Sequence, residues 1–305
     1  MSAGDIFFQQ LINGLTIGMI YALIALGYTM VYGVARLINF AHGEVFMVGA
    51  YLGLLFFLFA SDLISGAGKL FFFVPIVFIF AMLGTSAIGF IIERFAYRPL
   101  REAPRLAPLI TAIGISFLLQ NLIMFIFGPT DKHFPHLMVV RKFSLGTVTL
   151  TNLQIFIALV AVILMVVLHI FIRNTRTGKA MRALADDLQA ARLMGINVDR
   201  LISIAFIIGS ALAGAGGVMF GMYYGTINFH DGYLAGLKAF TAAVLGGIGN
   251  IPGAMIGGLL IGILEALGAG YWSSEWKNVF AFFVLILILL FRPSGLLGSR
   301  IVKKV

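Results

Sequence analysis

The amino-acid sequence predicts an all-α polytopic membrane protein with about nine transmembrane helices, within a range of about eight to ten. Of its 305 residues, 61% are hydrophobic and 11% are charged, and the mean hydropathy is +1.05. Soluble globular domains carry about 25% charged residues. The apolar residues are also grouped in runs of the length that crosses a bilayer, about 20 residues. These observations exclude an ordinary cytosolic enzyme, a disordered chain and a nucleic-acid-binding domain.

The apolar runs are interpreted as helices because a backbone exposed to lipid must satisfy its own hydrogen bonds. A membrane β-barrel would need alternating apolar and polar residues, whereas the stretch 284–288, Val-Leu-Ile-Leu-Ile, does not alternate. The first run has no basic segment before it and is too long for the core of a signal peptide, so it is expected to be a retained span. In chain order the runs cover 6–31, 44–60, 70–92, 107–127, 152–172, 201–223, 233–248, 252–270 and 278–291. The runs 233–248 and 278–291 are short for a span, which gives the predicted count its range.

Charge along the chain predicts which side of the membrane each loop faces. The formal net charge is +9, and the segments 94–105, 173–200 and 292–304 hold four, six and four of the 21 Lys and Arg residues. Because cytoplasmic loops carry an excess of basic residues, these three segments are predicted to be cytoplasmic. With about nine spans this arrangement puts the N-terminus outside. The segment 128–150 is then the longest outer loop and is expected to fold as a small extracytoplasmic cap.

An internal repeat relates the two halves of the chain. The stretch 38–43, Ile-Asn-Phe-Ala-His-Gly, recurs 189 residues later as 227–232, Ile-Asn-Phe-His-Asp-Gly. The first copy is predicted at the cytoplasmic side and the second at the outer side, which gives an inverted-topology repeat with interrupted helices, as in many transporters. The chain is therefore predicted to be one transmembrane domain over 1–305. Its parts are repeat one about 6–127, a connecting helix 152–172, a cytoplasmic loop 173–200 and repeat two about 201–291.

Polar residues in the apolar part of the chain are the candidates for a transport path, because burying them in a membrane is costly. Two interpretations of those in the repeat remain open: they cap interrupted helices, or they line and gate a path. A further carboxylate in a later run is either a buried hydrogen-bond partner or a path residue. The candidates are Asn39, His42 and Glu44 in the first copy, Asn228, His230 and Asp231 in the second, and Glu265 in the later run.

The segment 173–200 is the most informative hydrophilic part of the chain. Gly195 provides a helix end within it. Acidic residues are mixed with arginines here, which favours docking of a partner over binding to lipid headgroups. The chain has no phosphate-binding loop, no catalytic motif and no cysteine, so no enzymatic activity, cofactor or metal is predicted. The apolar stripe expected to dock the partner consists of Met181, Leu184, Leu188 and Ala191, which recur at helical spacing.

Within this segment the pattern Gln-Ala-Ala-x-x-x-Gly at 189–195 resembles the E-A-A-x-x-x-G loop of ABC importer permeases, with Gln in place of Glu. In those permeases the loop seats in a groove of the ATP-binding subunit. Further stretches extend the resemblance over nearly the whole chain, and they are similar to the high-affinity branched-chain amino-acid transport permeases of the H type. These stretches are 21–28, 38–44, 92–99, 238–249, 251–258 and 292–298.

The resemblance implies a membrane subunit, not an enzyme, of an importer in the bacterial cytoplasmic (inner) membrane. A periplasmic binding protein would deliver leucine, isoleucine or valine. A homologous M-type permease would pair with this chain in the lipid bilayer, and two ATP-binding subunits would drive transport. The residues that the resemblance assigns to the coupling loop are Arg182, Asp186, Asp187, Gln189, Ala190, Ala191 and Gly195.

Three alternatives remain open at this point. Closely related permeases carry urea or short amides. A proton-coupled secondary transporter would use His42, Glu44, His230 or Glu265 as a proton relay. A channel could also be built from inverted repeats.

Overall fold

The computed structural model describes residues 3–60, 69–101, 103–104, 106–292 and 294–298. Part of the predicted cytoplasmic charge lies outside these residues, namely Arg105 in the first basic segment and 299–304 in the third. The helices among the described residues are α1 (Ala3–Ala35), α2 (His42–Ala60), α3 (Lys69–Ile92), α4 (Leu106–Phe127), α5 (Asn152–Asn174), α6 (Arg176–Asp186), α7 (Leu188–Leu193), α8 (Val198–Tyr224), α9 (Asp231–Gly246), α10 (Ile251–Tyr271) and α11 (Lys277–Phe291).

Eight helical segments in the described part of the chain are long and apolar enough to cross a membrane. This confirms the all-α polytopic fold, and the number lies within the predicted range of eight to ten. The remaining predicted run, 233–248, corresponds to α9, which has 16 residues and runs from a crossing with α2 to one end of the bundle. At 1.5 Å per residue it extends about 24 Å, short of the roughly 30 Å hydrocarbon core.

The spans form a buried centre and an outer layer. Helix α1 packs along α10 and α8, while α8 also packs along α2 and α3, and α9 fills the space against α1, α2 and α10. The outer helices α4, α5 and α11 expose large apolar side chains such as Phe125, Val167 and Phe291. In a bilayer such a surface faces lipid or another membrane subunit, because lipid tails do not penalise exposed hydrocarbon.

The two ends of the bundle differ in chemistry. We call one the basic end: there the end of α1 meets α6, and the arginines after α3 meet the start of α8. The other is the loop end, formed by residues 128–151 and 225–227. At the loop end β1 (Lys132–His133) pairs with β4 (Thr226–Ile227), and β2 (Lys142–Leu145) forms a hairpin with β3 (Val148–Thr151).

The segment 128–150 folds as a cap on the loop end, as its length and composition predict. Phe134 is fully buried, and its ring lies beside Gly221 of α8. Thr147 donates a hydrogen bond to Asp5 at 2.5 Å, which fastens the hairpin to the start of α1. The cap therefore joins both halves of the chain at this end.

Candidate functional site

The first copy of the repeat forms a tight turn between α1 and α2. The Oδ1 atom of Asn39 accepts a hydrogen bond from the backbone N–H of Ala41 at 3.1 Å, and its carbonyl accepts one from the N–H of His42 at 3.1 Å. Asparagine favours such turns because its side chain imitates a backbone acceptor. The hydroxyl of Tyr97 also donates to Asn39 Oδ1 at 3.0 Å, which holds the turn to the short helical segment Glu93–Tyr97 that follows α3.

The second copy forms the same turn between α8 and α9. The Oδ1 atom of Asn228 accepts from the N–H of His230 at 2.9 Å, and its carbonyl accepts from the N–H of Asp231 at 3.1 Å. Each of these atoms lies 189 residues after its counterpart in the first copy. Asp231 Oδ2 in turn accepts from the N–H of Asn228 at 2.6 Å. The asparagines thus act in forming the turns, and a role in a path stays a prediction.

The first turns of α2 and α9 meet inside the bundle. A Cβ atom on Gly43 would overlap the backbone of Gly232 and lie 2.7 Å from Gly236, so only glycine permits this crossing. From the crossing, α2 runs to the loop end, where the Tyr51 ring contacts Phe127 at 4.7 Å between centroids. In contrast, α9 runs to the basic end, where residues 245–246 accept backbone hydrogen bonds from residues 296–297.

The predicted path residues His42 and Glu44 lie at this crossing and are 1% exposed. Ser116 donates to Glu44 Oε1 at 3.3 Å, and the His42 ring packs edge-on against Tyr28 at 4.8 Å. In the part of the chain that the structure describes, His42 Nε2 and Glu44 Oε2 are buried without a hydrogen-bond partner. By contrast, His230 lies at the surface, 2.7 Å from the side-chain amide of Gln120. The structure therefore does not bring His230 together with the buried pair.

Glu265 belongs to a buried cluster that the sequence did not reveal. Lys238 Nζ donates to Glu265 Oε1 at 2.8 Å, and the Tyr21 hydroxyl donates to Glu265 Oε2 at 2.9 Å. Lys238 also donates to the Tyr21 oxygen at 3.3 Å. Lys238 and Glu265 are 4% and 3% exposed, so the pair is an ion pair inside the membrane-embedded region. We refer to these three residues as the Lys238 cluster.

The available signal for this cluster was Lys238 itself, a cation within the predicted apolar run 233–248. Ionised groups at membrane depth almost always pair with one another, so a lysine there calls for a carboxylate partner. The Tyr21 hydroxyl has no comparable signal, because tyrosine is ordinary in an apolar helix.

The segment predicted to dock a partner, 173–200, contains two short helices, α6 and α7, in the region where the apolar stripe predicts one. The Thr175 hydroxyl caps α6 by accepting from Gly178 N–H at 3.0 Å. Asp187 interrupts the predicted continuous helix and caps α7, since its Oδ1 accepts from the N–H groups of Gln189 at 2.8 Å and Ala190 at 3.0 Å. Both Asp187 and the turn it makes are therefore structural.

Gly195 ends α7 with φ of +77°, in the left-handed region, which confirms the predicted helix end. Its N–H donates to the Arg192 carbonyl at 3.0 Å, and the Ile196 N–H donates to the Ala191 carbonyl at 3.1 Å. These two bonds satisfy carbonyls at the helix end in the arrangement that most favours glycine.

The expectation that the apolar stripe faces a partner is wrong. Met181, Leu184 and Ala191 are 2%, 1% and 4% exposed, because they pack within this chain, and Leu188 is partly buried. The free apolar surface lies at the end of α7 instead, where Leu193 and Met194 are 88% and 82% exposed. Helical periodicity correctly indicated that this face is buried, but it could not indicate whether the same chain or a partner buries it. We call Leu193 and Met194 the tip.

The other residues predicted to belong to the coupling loop lie between the tip and the spans. Gln189 and Ala190 are exposed on α7, and Arg182 donates to the Arg173 carbonyl at 3.2 Å. Asp186 takes part through its backbone, since the guanidinium of Arg36 donates to the carbonyls of Ala185 at 2.8 Å and Asp186 at 3.2 Å. These carbonyls are the orphan acceptors at the end of α6.

Arg36 therefore ties α6 to the turn that leads into α2. It is the non-glycine residue with positive φ, +53°, in the described chain. A second attachment at the same end joins the segment that follows α3 to α8: Arg98 pairs with Asp199 at 2.5 Å, and Arg101 bridges Asp199 and Glu93. Neither attachment was predicted from the sequence.

Comparison with known proteins gives matches over nearly the whole chain. The family model described as branched-chain amino acid transport system, permease component, matches residues 10–289. The chain is 49% identical over 303 residues to the high-affinity branched-chain amino acid transport system permease protein LivH of Salmonella typhimurium and of Escherichia coli, covering 98% of this chain and 98% of each relative. The corresponding permease protein BraD of Pseudomonas aeruginosa is also 49% identical, with the same coverage. No solved structure matches the chain.

Proposed function

The chain belongs to the family of branched-chain amino acid transport system permease components, and we propose that it is the membrane subunit of an ABC importer that carries leucine, isoleucine and valine inward. The observation that carries this proposal is the 49% identity over 98% of both chains to permeases named for that activity. The relatives' names favour branched-chain amino acids over urea or short amides. Because the chain has no phosphate-binding loop, the energy must come from another subunit.

The proposed complex contains a second, M-type permease, two ATP-binding subunits and a periplasmic binding protein, and it lies in the bacterial inner membrane. The basic end is proposed to be cytoplasmic by the positive-inside rule. The loop end with its cap is then periplasmic and faces the binding protein. The exposed flanks of α4, α5 and α11 offer surface for lipid and for the second permease.

The two halves are proposed to be inverted repeats, with repeat one about 6–127 and repeat two about 201–291. The matched asparagine turns support this proposal, as does the crossing from which α2 and α9 run to opposite ends. The pairing of α1 with α10 also corresponds to that of α8 with α3. In transporters of this design the interrupted helices surround the site and their relative motion gates it.

Coupling is proposed to run from the tip through α6 to Arg36. A docked ATPase would hold Leu193 and Met194, the large exposed apolar side chains at the end of α7. Movement of α7 is transmitted to α6, whose last carbonyls are held by Arg36. Arg36 lies between α1 and the Asn39 turn, so a shift there moves the start of α2 against α9.

The test is uptake of radiolabelled leucine by proteoliposomes that contain the complete complex and leucine-loaded binding protein. With ATP present on the cytoplasmic side, uptake should continue after an ionophore collapses the proton gradient. Without ATP, an imposed proton gradient should give none. Uptake driven by the gradient alone would establish a proton-coupled transporter, and uptake requiring neither source would establish a channel.

A further inference from the structure

A cavity of about 220 Å³ adjoins the Lys238 cluster. It lies between α1, α8, α9, α10 and the start of α11, and reaches residues of the loop end. Most of the residues that line it are polar or charged, with carboxylates and lysines among them, and a smaller part of the wall is apolar. The polar groups used below are Lys238 and Asp231, and the apolar surface includes Phe220, Leu234 and Ala235.

Lys238 retains hydrogen-bonding capacity toward the cavity. An ammonium group has three N–H donors. Two are directed to Glu265 at 2.8 Å and to Tyr21 at 3.3 Å. The third has no partner among the residues that the structure describes, and it belongs to a side chain that is 4% exposed.

Asp231 supplies the opposite charge. Its Oδ2 atom accepts from Asn228 N–H at 2.6 Å, and its Oδ1 atom has no hydrogen-bond partner in the described ranges. Asp231 and Lys238 are seven residues apart on α9, which is about two helical turns, so they share one face. Helical side chains lean toward the N-terminus, which brings the long Lys238 side chain closer to Asp231.

The cavity also matches the size of the transported molecules. A protein cavity of about 150 Å³ holds benzene, so about 25 Å³ serves each non-hydrogen atom. At that ratio, 220 Å³ admits about nine non-hydrogen atoms, which is the size of leucine or isoleucine.

We propose that this cavity binds the substrate as a free zwitterionic α-amino acid, with its carboxylate at Lys238, its ammonium group at Asp231 and its side chain in the apolar part. The inference rests on the proposed transport function and adds a binding site within this chain. Opposite charges at the two ends of the site select for a zwitterion, while the apolar wall selects for a hydrocarbon side chain.

The first experiment measures binding of tritiated leucine to the purified complex in nanodiscs, without binding protein or nucleotide. Unlabelled leucine should displace the label, whereas leucinamide, which lacks the carboxylate, and 4-methylpentanoate, which lacks the ammonium group, should be at least tenfold weaker. The variant is Lys238→Met combined with Glu265→Gln, because the single change would leave a buried carboxylate unpaired. This double variant should bind leucine at least tenfold more weakly, and equal displacement by all three compounds would overturn the proposal.

A second variant tests the cavity without touching its charges. Ala235→Leu adds volume to the wall, so it should weaken leucine binding at least tenfold and binding of the smaller alanine less than threefold. Ala87→Leu adds the same volume at an exposed position of α3 and should change neither affinity. If the double variant and Ala235→Leu both fold and bind leucine as the wild type does, the site is wrong. In that case ATP-driven import by the wild type would still support the transport function, whereas absence of import by the wild type would refute the function itself.

Discussion

Removing the tip should release the ATPase without disturbing the membrane subunit. Leu193 and Met194 are 88% and 82% exposed, so each can bury most of its side chain on docking. Truncation to alanine removes about three heavy atoms, and each buried CH₂ contributes about 0.8 kcal/mol, so each change should cost about 2 kcal/mol of docking free energy. The double variant Leu193→Ala/Met194→Ala should therefore lose about 4 kcal/mol, or roughly a thousandfold in affinity.

The assay titrates purified ATP-binding subunit against the permease pair in nanodiscs and measures leucine-stimulated ATP hydrolysis in parallel. Folding of the membrane subunit should change by less than about 0.5 kcal/mol, since exposed side chains contribute little to stability. Leu106→Ala is the matched control, because Leu106 is 67% exposed at the same end of the bundle on α4. A double variant that binds the ATPase within threefold of the wild-type affinity would refute the assignment of the tip.

Two neighbouring alanines distinguish docking from folding in the same assay. Ala190 is exposed, so Ala190→Trp should leave the subunit folded and obstruct the ATPase. Ala191 is 4% exposed, so Ala191→Trp should overpack the chain's own core at about 1–3 kcal/mol and lower the melting temperature. Identical behaviour of the two variants would contradict the burial of the stripe.

Two further predictions concern topology and the helix crossing. The chain has no native cysteine, so single cysteines can report which side of the membrane a loop faces. In intact spheroplasts Val139→Cys should react with an impermeant maleimide, and Gln189→Cys should react only after lysis; the reverse pattern would invert the proposed orientation. Val139 represents the cap because another cap residue, Phe134, is fully buried and would not react. Gly43→Ala should lower the stability of the fold by about 1–3 kcal/mol, because the added Cβ would overlap Gly232. The control is Gly114→Ala, whose Cβ would have no atom within 4 Å, so this change should be neutral or stabilising. Equal melting temperatures for both variants would show that the crossing is not tight.

The spans could be predicted because hydropathy and length are properties of single segments. The short repeat was informative for a similar reason, since an asparagine turn such as that of Asn39 is formed almost wholly by neighbouring residues. The run 233–248 has the same length as α9, 16 residues, but lies two residues further along the chain, because hydropathy does not register backbone conformation. The Asn228 turn begins α9 at Asp231, and Gly247 and Gly249, with φ of +103° and +93°, follow its end at Gly246.

The contacts that hold the candidate sites could not be predicted in the same way. The partner of Glu265 is set by how α1, α9 and α10 pack, and no local pattern specifies that packing. The prediction that the apolar stripe docks a partner was wrong for a related reason. The helical spacing of apolar residues is the same whether α6 packs on its own chain or on an ATPase. The contact of Arg36 was not predicted because its guanidinium donates to backbone carbonyls. Every residue has such a carbonyl, so the sequence does not indicate which one an arginine will contact.

The two repeats differ in chemistry at one pair of equivalent positions. Lys238 is the eighth residue of α9, and the eighth residue of α2 is Gly49. A Cβ at Gly49 would lie 2.5 Å from the Gly214 Cα, so in repeat one this position closes a helix contact instead of carrying a charge. The two corresponding helices therefore differ in role: α2 packs tightly on α8, while α9 carries two charged residues that line a cavity. The lining of this cavity extends to residues of the loop end. With the loop end periplasmic, as proposed above, the proposed site extends toward the side from which an importer receives its substrate.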